Sequence, residues 1–156
     1  MTVNLREVID SDLPIFFQHQ QDQEAVHMAA FTSENPSDRA AFNAHWAKIR
    51  ASDVSINRSV EVDGKLAGHV ASFVMFGERE VTYWIGREFW GQGVATSALS
   101  ALLNVDATRP IFGRAAKDNS RSIRVLEKCG FVLVGEEKGF ANARKAEIAE
   151  VVLKLA

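Results

Sequence analysis

Two glycines, Gly91 and Gly93, stand at the head of a segment in which Val94, Ala95, Ala98, Leu99 and Leu102 recur at helical spacing. Glycine lets a backbone come close to a ligand, and the first amides of a helix have no intrahelical acceptor. Those donors and the positive end of the helix dipole together suit an anion, typically a phosphate. The backbone of Gly91, Gln92, Gly93, Val94, Ala95 and Thr96 is therefore the candidate phosphate cradle, with the Thr96 hydroxyl as a further donor. Taken alone, G-x-G also describes a softened strand-to-helix turn with nothing bound.

Upstream of that turn, Val81, Tyr83 and Ile85 alternate with Thr82 and Trp84, a β-branched and aromatic run that predicts a strand ending at Gly86. By the same alternation Glu80 shares a face with Thr82 and Trp84, as a candidate base or as a solvated carboxylate beside a hairpin turn. His69 on the preceding strand and His27 in a loop have an intrinsic pKa suited to base work, although a lone histidine is more often structural. Downstream, Asn119 and Ser122 lie one helical turn apart at a helix start, as a ligand-facing pair or as an N-cap and a surface residue. Cys129 sits near the negative end of that helix, which disfavours a thiolate, and reads as core. The four histidines and one cysteine are scattered, with no metal-ligand spacing.

Two motifs agree in order and spacing. Y-W-I-G at Tyr83–Gly86 followed by W-G-Q-G-V-A-T at Trp90–Thr96 precedes N-S-R-S-I-R-V-L-E-K-C-G-F at Asn119–Phe131. The pair resembles the GCN5-related N-acetyltransferases (GNAT), in particular the branch that includes the ribosomal-protein alanine N-acetyltransferases. The match spans about Tyr83–Phe131, and the first third of the chain matches in general layout only. The resemblance implies acetyl-CoA as cosubstrate, with its pyrophosphate on the Gly91–Thr96 amides. It also implies a pantetheine arm paired along the Tyr83–Gly86 strand, which enlists Trp84, Ile85 and Gly86 as cofactor-binding positions, with Asn119 and Ser122 beside them. A backbone N–H of that strand would polarise the thioester carbonyl.

The resemblance further implies catalytic roles for Ser122, as proton donor to the leaving thiolate, and for Glu80, three residues before the strand tyrosine, as the base that relieves the amine of its proton. There are two departures. Many members carry a tyrosine acid four residues after the Ser122 position, where this chain has Leu126. Glu88 stands where many have Gln or Arg, so Arg87, Arg121 or Arg124, with Arg124 favoured, would compensate at the phosphates. The expected acceptor is a primary amine, of a small molecule or of a peptide N-terminus. Two other classes stay in view. One is a non-catalytic acetyl-CoA-binding module. The other is a dinucleotide-binding oxidoreductase, disfavoured because its third small residue is missing and four residues separate strand from glycine turn.

The rest of the chain sets bounds. Its 156 residues suit one domain, 1–156, with a core large enough to need no disulfides. Apolar content of 47%, charged content of 24% and a net charge of −2 give no sign of a nucleic-acid partner. No apolar run is long enough to span a bilayer, the first residues lack the basic start and apolar run expected of a signal peptide, and a single cysteine fits a reducing cytoplasm.

In order, the pattern predicts a strand at Val3–Val8 and a helix from an Asp10–Asp12 cap to about Gln21. Residues 22–35 form a loop or broken helix that, by the resemblance, shapes the acceptor site. A helix then runs from the Asn35–Asp38 signal to about Ala51. Three sequential antiparallel strands follow, Asn57–Val62, Leu66–Phe76 and Glu80–Ile85, with Asp63-Gly64 as a hairpin turn. After them come a helix Gln92–Leu103, a strand Ile111–Ala115, a helix Asn119–Lys128, and strands at Phe131–Glu136 and Glu147–Leu155. The strand–helix–strand order demands a crossover. The expected class is thus α/β: a GNAT-like mixed, mostly antiparallel sheet flanked by helices, with a parallel splayed pair at the cofactor site.

Overall fold

The computed structural model describes residues 1–156. Its centre is a seven-stranded sheet: β1 (Val3–Glu7), β2 (Ile56–Val62), β3 (Lys65–Met75), β4 (Glu78–Ile85), β5 (Ile111–Ala116), β6 (Val132–Ala141) and β7 (Ala146–Leu155), ordered β1-β2-β3-β4-β5-β7-β6. Every neighbouring pair is antiparallel except β4 and β5, which run parallel and meet at a single bridge, Glu80 to Phe112. Beyond it the two strands part. This is the expected mixed sheet with its splayed parallel pair. The Asp63-Gly64 turn has both residues at positive φ, 51° and 82°, which matches the right-handed twist of the strands it joins.

The helices are α1 (Leu13–His19), α2 (Gln23–Ala29), α3 (Arg39–Ala51), α4 (Val94–Val105) and α5 (Ser120–Lys128). α4 lies on one face across β1, β3 and β4, with α5 beside it over β5. Val94, Ala98, Leu99 and Leu102 of α4 join Val81, Ile85, Ile111, Leu126 and Leu153 in the main core, which explains why that helix is apolar on one side only. The opposite face of β2 and β3 carries α1 and α3 through Val8, Phe16, Phe42 and Trp46. Asp12 locks this corner. Its buried carboxylate takes Arg6 Nη1 at 2.7 Å, the Ile9 amide at 3.0 Å and Ser59 Oγ at 2.6 Å. Burial pulls the Asp12 pKa upward, but those donors outweigh it and hold the group at about 2.

Several boundaries differ from expectation for local reasons. α1 stops at His19 rather than Gln21, because Asp22 is engaged as the N-cap of α2, accepting from the Glu24 and Ala25 amides. The segment expected as a loop or broken helix thus contains a two-turn helix. α3 is capped by Asp38, the last residue of the expected Asn35–Asp38 signal, whereas α4 begins at Val94 rather than Gln92, behind Gly93 at φ +78°. β6 continues past Glu136 to Ala141, paired with β7.

Candidate functional site

The six consecutive amides from Gly91 to Thr96 have no acceptor in the protein. The first helical bond of α4 runs from the Ser97 amide to the Gly93 carbonyl, 3.0 Å. Gly91 and Gly93 both lie in the left-handed region, at φ 73° and 78°, and no protein atom lies within 4 Å of where a Cβ would stand on either. Backbone alternating in this way turns successive N–H groups toward one concavity, an arrangement that binds anions. No side chain caps α4, so the sequence-predicted cradle has its donors open.

The flanking charges are sorted differently from expectation. Glu88 gives its carboxylate to Lys65 at 2.8 Å, so the anomalous acid beside the turn is neutralised. Arg87 pairs with Asp22 and Glu24, each at 2.6 Å, which commits its guanidinium to the start of α2. Arg124 is exposed and makes no ion pair. Arg121 stacks 4.8 Å from the centroid of Trp90, the residue immediately before Gly91, and no carboxylate claims it. Arg87 lies over the same ring at 4.9 Å, so of the two arginines on Trp90 it is Arg121 that has no carboxylate partner.

Beside the cradle, β4 presents an unpaired edge toward β5. Gly86 donates its amide to the Ala67 carbonyl on β3 at 2.8 Å. Main-chain groups alternate in direction along a strand, so Trp84 shares the β3 side with Gly86, while Tyr83 and Ile85 turn theirs toward β5. The Ile85 carbonyl is taken by Trp90 Nε1 at 2.8 Å. What remains for a ligand strand is the Tyr83 amide and carbonyl and the Ile85 amide. This moves the expected backbone contacts off Trp84 and Gly86. The Gly86 flank is also filled, since a Cβ there would stand 2.6 Å from His19 Nε2.

Ser122 and Asn119 sit at the start of α5 as expected. Asn119 is the N-cap: its Oδ1 accepts the Ser122 amide at 3.2 Å and its Nδ2 donates to the Met28 carbonyl at the end of α2, 3.2 Å away. Its polar atoms therefore serve α5 and the acceptor-side segment. Ser122 Oγ is 2.7 Å from the Tyr83 hydroxyl. Burial raises the Tyr83 pKa to about 12, against a smaller opposing effect of the Ser122 hydrogen bond. Sequence places Tyr83 on the strand and at the head of the Y-W-I-G motif; the only sign that its side chain faces α5 is its alternation with Val81 and Ile85. Leu126 is buried against Gly113 of β5. Cys129 packs beside the core and donates to the Thr96 carbonyl at 3.6 Å, its thiol pKa pushed up by burial.

On the opposite face, Thr82 and Trp84 line a cavity of about 230 Å³ with Phe16, Phe42, Trp46 and His69. His69 stacks edge-on against Phe16 and Trp46, at 4.7 and 5.0 Å between centroids. Desolvation, helped by His19 and His45, pushes its pKa down to about 3, so at neutral pH it is an uncharged wall of the cavity and a weak base. His27 is exposed, and only its carbonyl is used, accepting Arg144 Nε at 2.7 Å. Glu80 is buried on this face at the point where β4 and β5 part, but outside the cavity lining. Arg114 holds it at 3.1 Å, and the same guanidinium serves Glu137 at 2.8 Å and Glu150 at 3.3 Å. Burial raises the Glu80 pKa; Arg114 opposes the rise, and Glu150 and Glu137 reinforce it.

Comparisons with known proteins bear on the family and the fold. Residues 2–132 match the family model described as an acetyltransferase (GNAT) domain. The chain is 28% identical to the Bacillus subtilis (strain 168) protein named "Putative ribosomal N-acetyltransferase YdaF", over 129 residues covering 76% of this chain and 70% of that one. Mycobacterium smegmatis RimJ, solved in complex with CoA-disulfide, superposes with a TM-score of 0.83 at 22% identity, over 98% of this chain and 81% of its own. Vibrio cholerae spermidine N-acetyltransferase, solved with CoA and spermine, superposes with a TM-score of 0.77 at 19% identity, over 97% and 95%. At these identities the two structures show a shared fold.

Proposed function

Because this chain belongs to the GNAT acetyltransferases, acyltransferases that draw on acetyl-CoA, we propose that it acetylates a primary amine by direct attack on the thioester. The observation that carries the site assignment is the run of six open amides at Gly91–Thr96 beside the unpaired edge of β4. The amides receive the pyrophosphate, with Arg121 as the neighbouring cation. The Tyr83 and Ile85 main-chain groups receive the pantetheine arm, and an amide of that edge polarises the acetyl carbonyl. Ser122 donates toward the sulfur as the carbon–sulfur bond breaks. Glu80 is the base, acting through an intervening water because Arg114 holds it back from the cavity.

The amine enters from the face that bears Thr82 and Trp84, opposite α4 and α5. YdaF and the spermidine enzyme carry names that span a ribosomal protein and a polyamine, and both a peptide N-terminus and a small amine fit the present reading. A reducing cytoplasm suits the lone, half-buried Cys129.

Release of free thiol from acetyl-CoA across a panel of N-terminal peptides, polyamines and amino acids is the direct test. Stoichiometric thiol release with at least one amine is expected; acetyl-CoA binding without turnover on any of them would make the chain a binding module instead. Glu80→Gln is expected to lower kcat about tenfold and to remove the acidic limb of its pH profile. The sign follows from the raised pKa: the carboxylate is an active base above it and is lost as pH falls through it. An unchanged limb would exclude Glu80. Arg121→Ala should weaken acetyl-CoA binding several-fold, about 1 kcal/mol for an exposed charge contact, while Arg124→Ala leaves it alone. The reverse order in a titration of the two variants would return the phosphate contact to Arg124.

A further inference from the structure

A serine in the first turns of a helix commonly turns its hydroxyl back to the carbonyl three or four residues earlier. For Ser122 those are the carbonyls of Asn119 and Asp118, and it bonds to neither. The one protein partner of its Oγ is the Tyr83 hydroxyl at 2.7 Å. Tyr83 reaches α5 from β4, with its ring packed against the main core. A second, longer contact of 3.4 Å runs from the phenol to the Ser122 carbonyl. Either hydroxyl can donate across the 2.7 Å pair; when the phenol donates to Oγ, the nearer of its two acceptors, the Ser122 proton is left unclaimed. No phenol can enter from α5 itself, because Leu126 is buried against Gly113, whose own Cβ would lie 2.5 Å from the Leu126 side chain.

We propose that Tyr83 is a positioning residue for acetyl transfer: its phenol holds Ser122 Oγ away from the α5 carbonyls, so that the Oγ–H is aimed into the opening between β4 and β5 where the sulfur departs. The inference rests on the role given to Ser122 above. In the step it serves, the amine nitrogen bonds to the acetyl carbon and the carbon–sulfur bond breaks with its electron pair on sulfur. Ser122 donates a hydrogen bond to that sulfur while Tyr83 donates to Ser122. The proton lost by nitrogen leaves through the base, and one proton returns to sulfur, so the products are an amide and a thiol. Tyr83 stays protonated throughout, in keeping with its buried phenol.

A double-mutant cycle on the full chain tests this. Tyr83→Phe keeps the ring and is expected to lower kcat about tenfold, with the acetyl-CoA dissociation constant unchanged. In a Ser122→Ala background the same substitution should cost no further turnover, because the hydroxyl it orients is already gone. A purely structural ring would instead lower the melting temperature and cost the same factor in both backgrounds. Wild-type kcat in Tyr83→Phe, or a full further loss on top of Ser122→Ala, would overturn the inference. If Ser122→Ala itself turns over normally, the underlying role of Ser122 fails, which a slow Ser122→Ala beside a normal Tyr83→Phe would not imply. Should Tyr83→Phe fold poorly, 3,5-difluorotyrosine at position 83 keeps the packing and makes the phenol more acidic. The alkaline limb of kcat should then move to lower pH, and an unmoved limb would count against Tyr83.

Discussion

Gly93→Val is expected to abolish the protection that acetyl-CoA gives against thermal unfolding while leaving a folded, unliganded protein. Gly93 holds φ at +78° at the N-cap of α4, and a β-branched residue there is a steric outlier that costs about 1–2 kcal/mol. The chain relieves that strain by rotating the Gly93 backbone out of the left-handed region. The rotation swings the Gly93 and Val94 amides away from the concavity they share with Gly91. α4 itself survives, because Val94, Ala98, Leu99 and Leu102 are held by the core and not by the turn. For the wild-type protein, acetyl-CoA at 100 times its dissociation constant contributes about 2.7 kcal/mol, a rise in melting temperature of roughly 5–10 °C for a chain this size. The variant should start a few degrees lower and show no rise. A full ligand-induced shift in Gly93→Val would remove the anion from this turn. Gly93→Ala, with the same φ problem but no β-branch, should fall between the two.

What sequence made legible was what neighbouring residues decide. The β4–turn–α4 segment carries its strand alternation, its glycines and its helical apolar stripe within Val81–Leu102, so each level agrees with the next. The same holds for α5, whose N-cap and apolar positions lie within Asn119–Phe131. α2 was not legible because little of its stability is local. Among its seven residues only Ala25 is buried. Its end is held from afar, by Asn119 Nδ2 on the Met28 carbonyl, Arg144 Nε on the His27 carbonyl and the Ala143 amide on the Ala30 carbonyl. The extension of β6 is similar. Glu137, Lys138 and Gly139 do not favour a strand on their own, and pairing with β7 imposes it.

The site divides along the same line. Backbone donors at Gly91–Thr96 follow from residue type and position, and they lie where the spacing put them. Which of Trp84, Ile85 and Gly86 can pair with a ligand depends on register with β3, a fact that one strand does not contain; the Gly86–Ala67 bond decides it. Glu80 illustrates the opposite risk. Its face was correctly inferred from alternation, yet its partner Arg114 comes from another strand, and with Glu137 and Glu150 it sets the charge balance around the carboxylate. Burial pushes the Glu80 and Glu150 pKa values upward, the neighbouring carboxylates add to the rise and Arg114 opposes it. That is a tertiary property.

Ser122→Ala should lower kcat about a hundredfold, with the dissociation constant and KM of acetyl-CoA unchanged. The cofactor contacts assigned to backbone do not pass through the hydroxyl. The α5 cap survives as well, since Asn119 Oδ1 accepts the residue 122 amide, which alanine retains. Alanine is also the better helix former, so the variant should be at least as stable as the wild type. Loss of rate without loss of binding or stability then isolates an interaction made in the transition state. No nearby group can take over. Cys129 is turned to the Thr96 carbonyl with its pKa raised by burial, and Leu126 offers no proton. Tyr83 keeps its phenol but loses the hydroxyl through which it acts, so a void the size of one oxygen separates it from the sulfur. The residual rate should depend on the acidity of the leaving thiol: a more acidic thioester leaving group needs less help and should narrow the gap to wild type. A hundredfold deficit that stays constant across leaving groups, or a KM that rises in step with the fall in kcat, would place Ser122 in binding and not in the departure of sulfur.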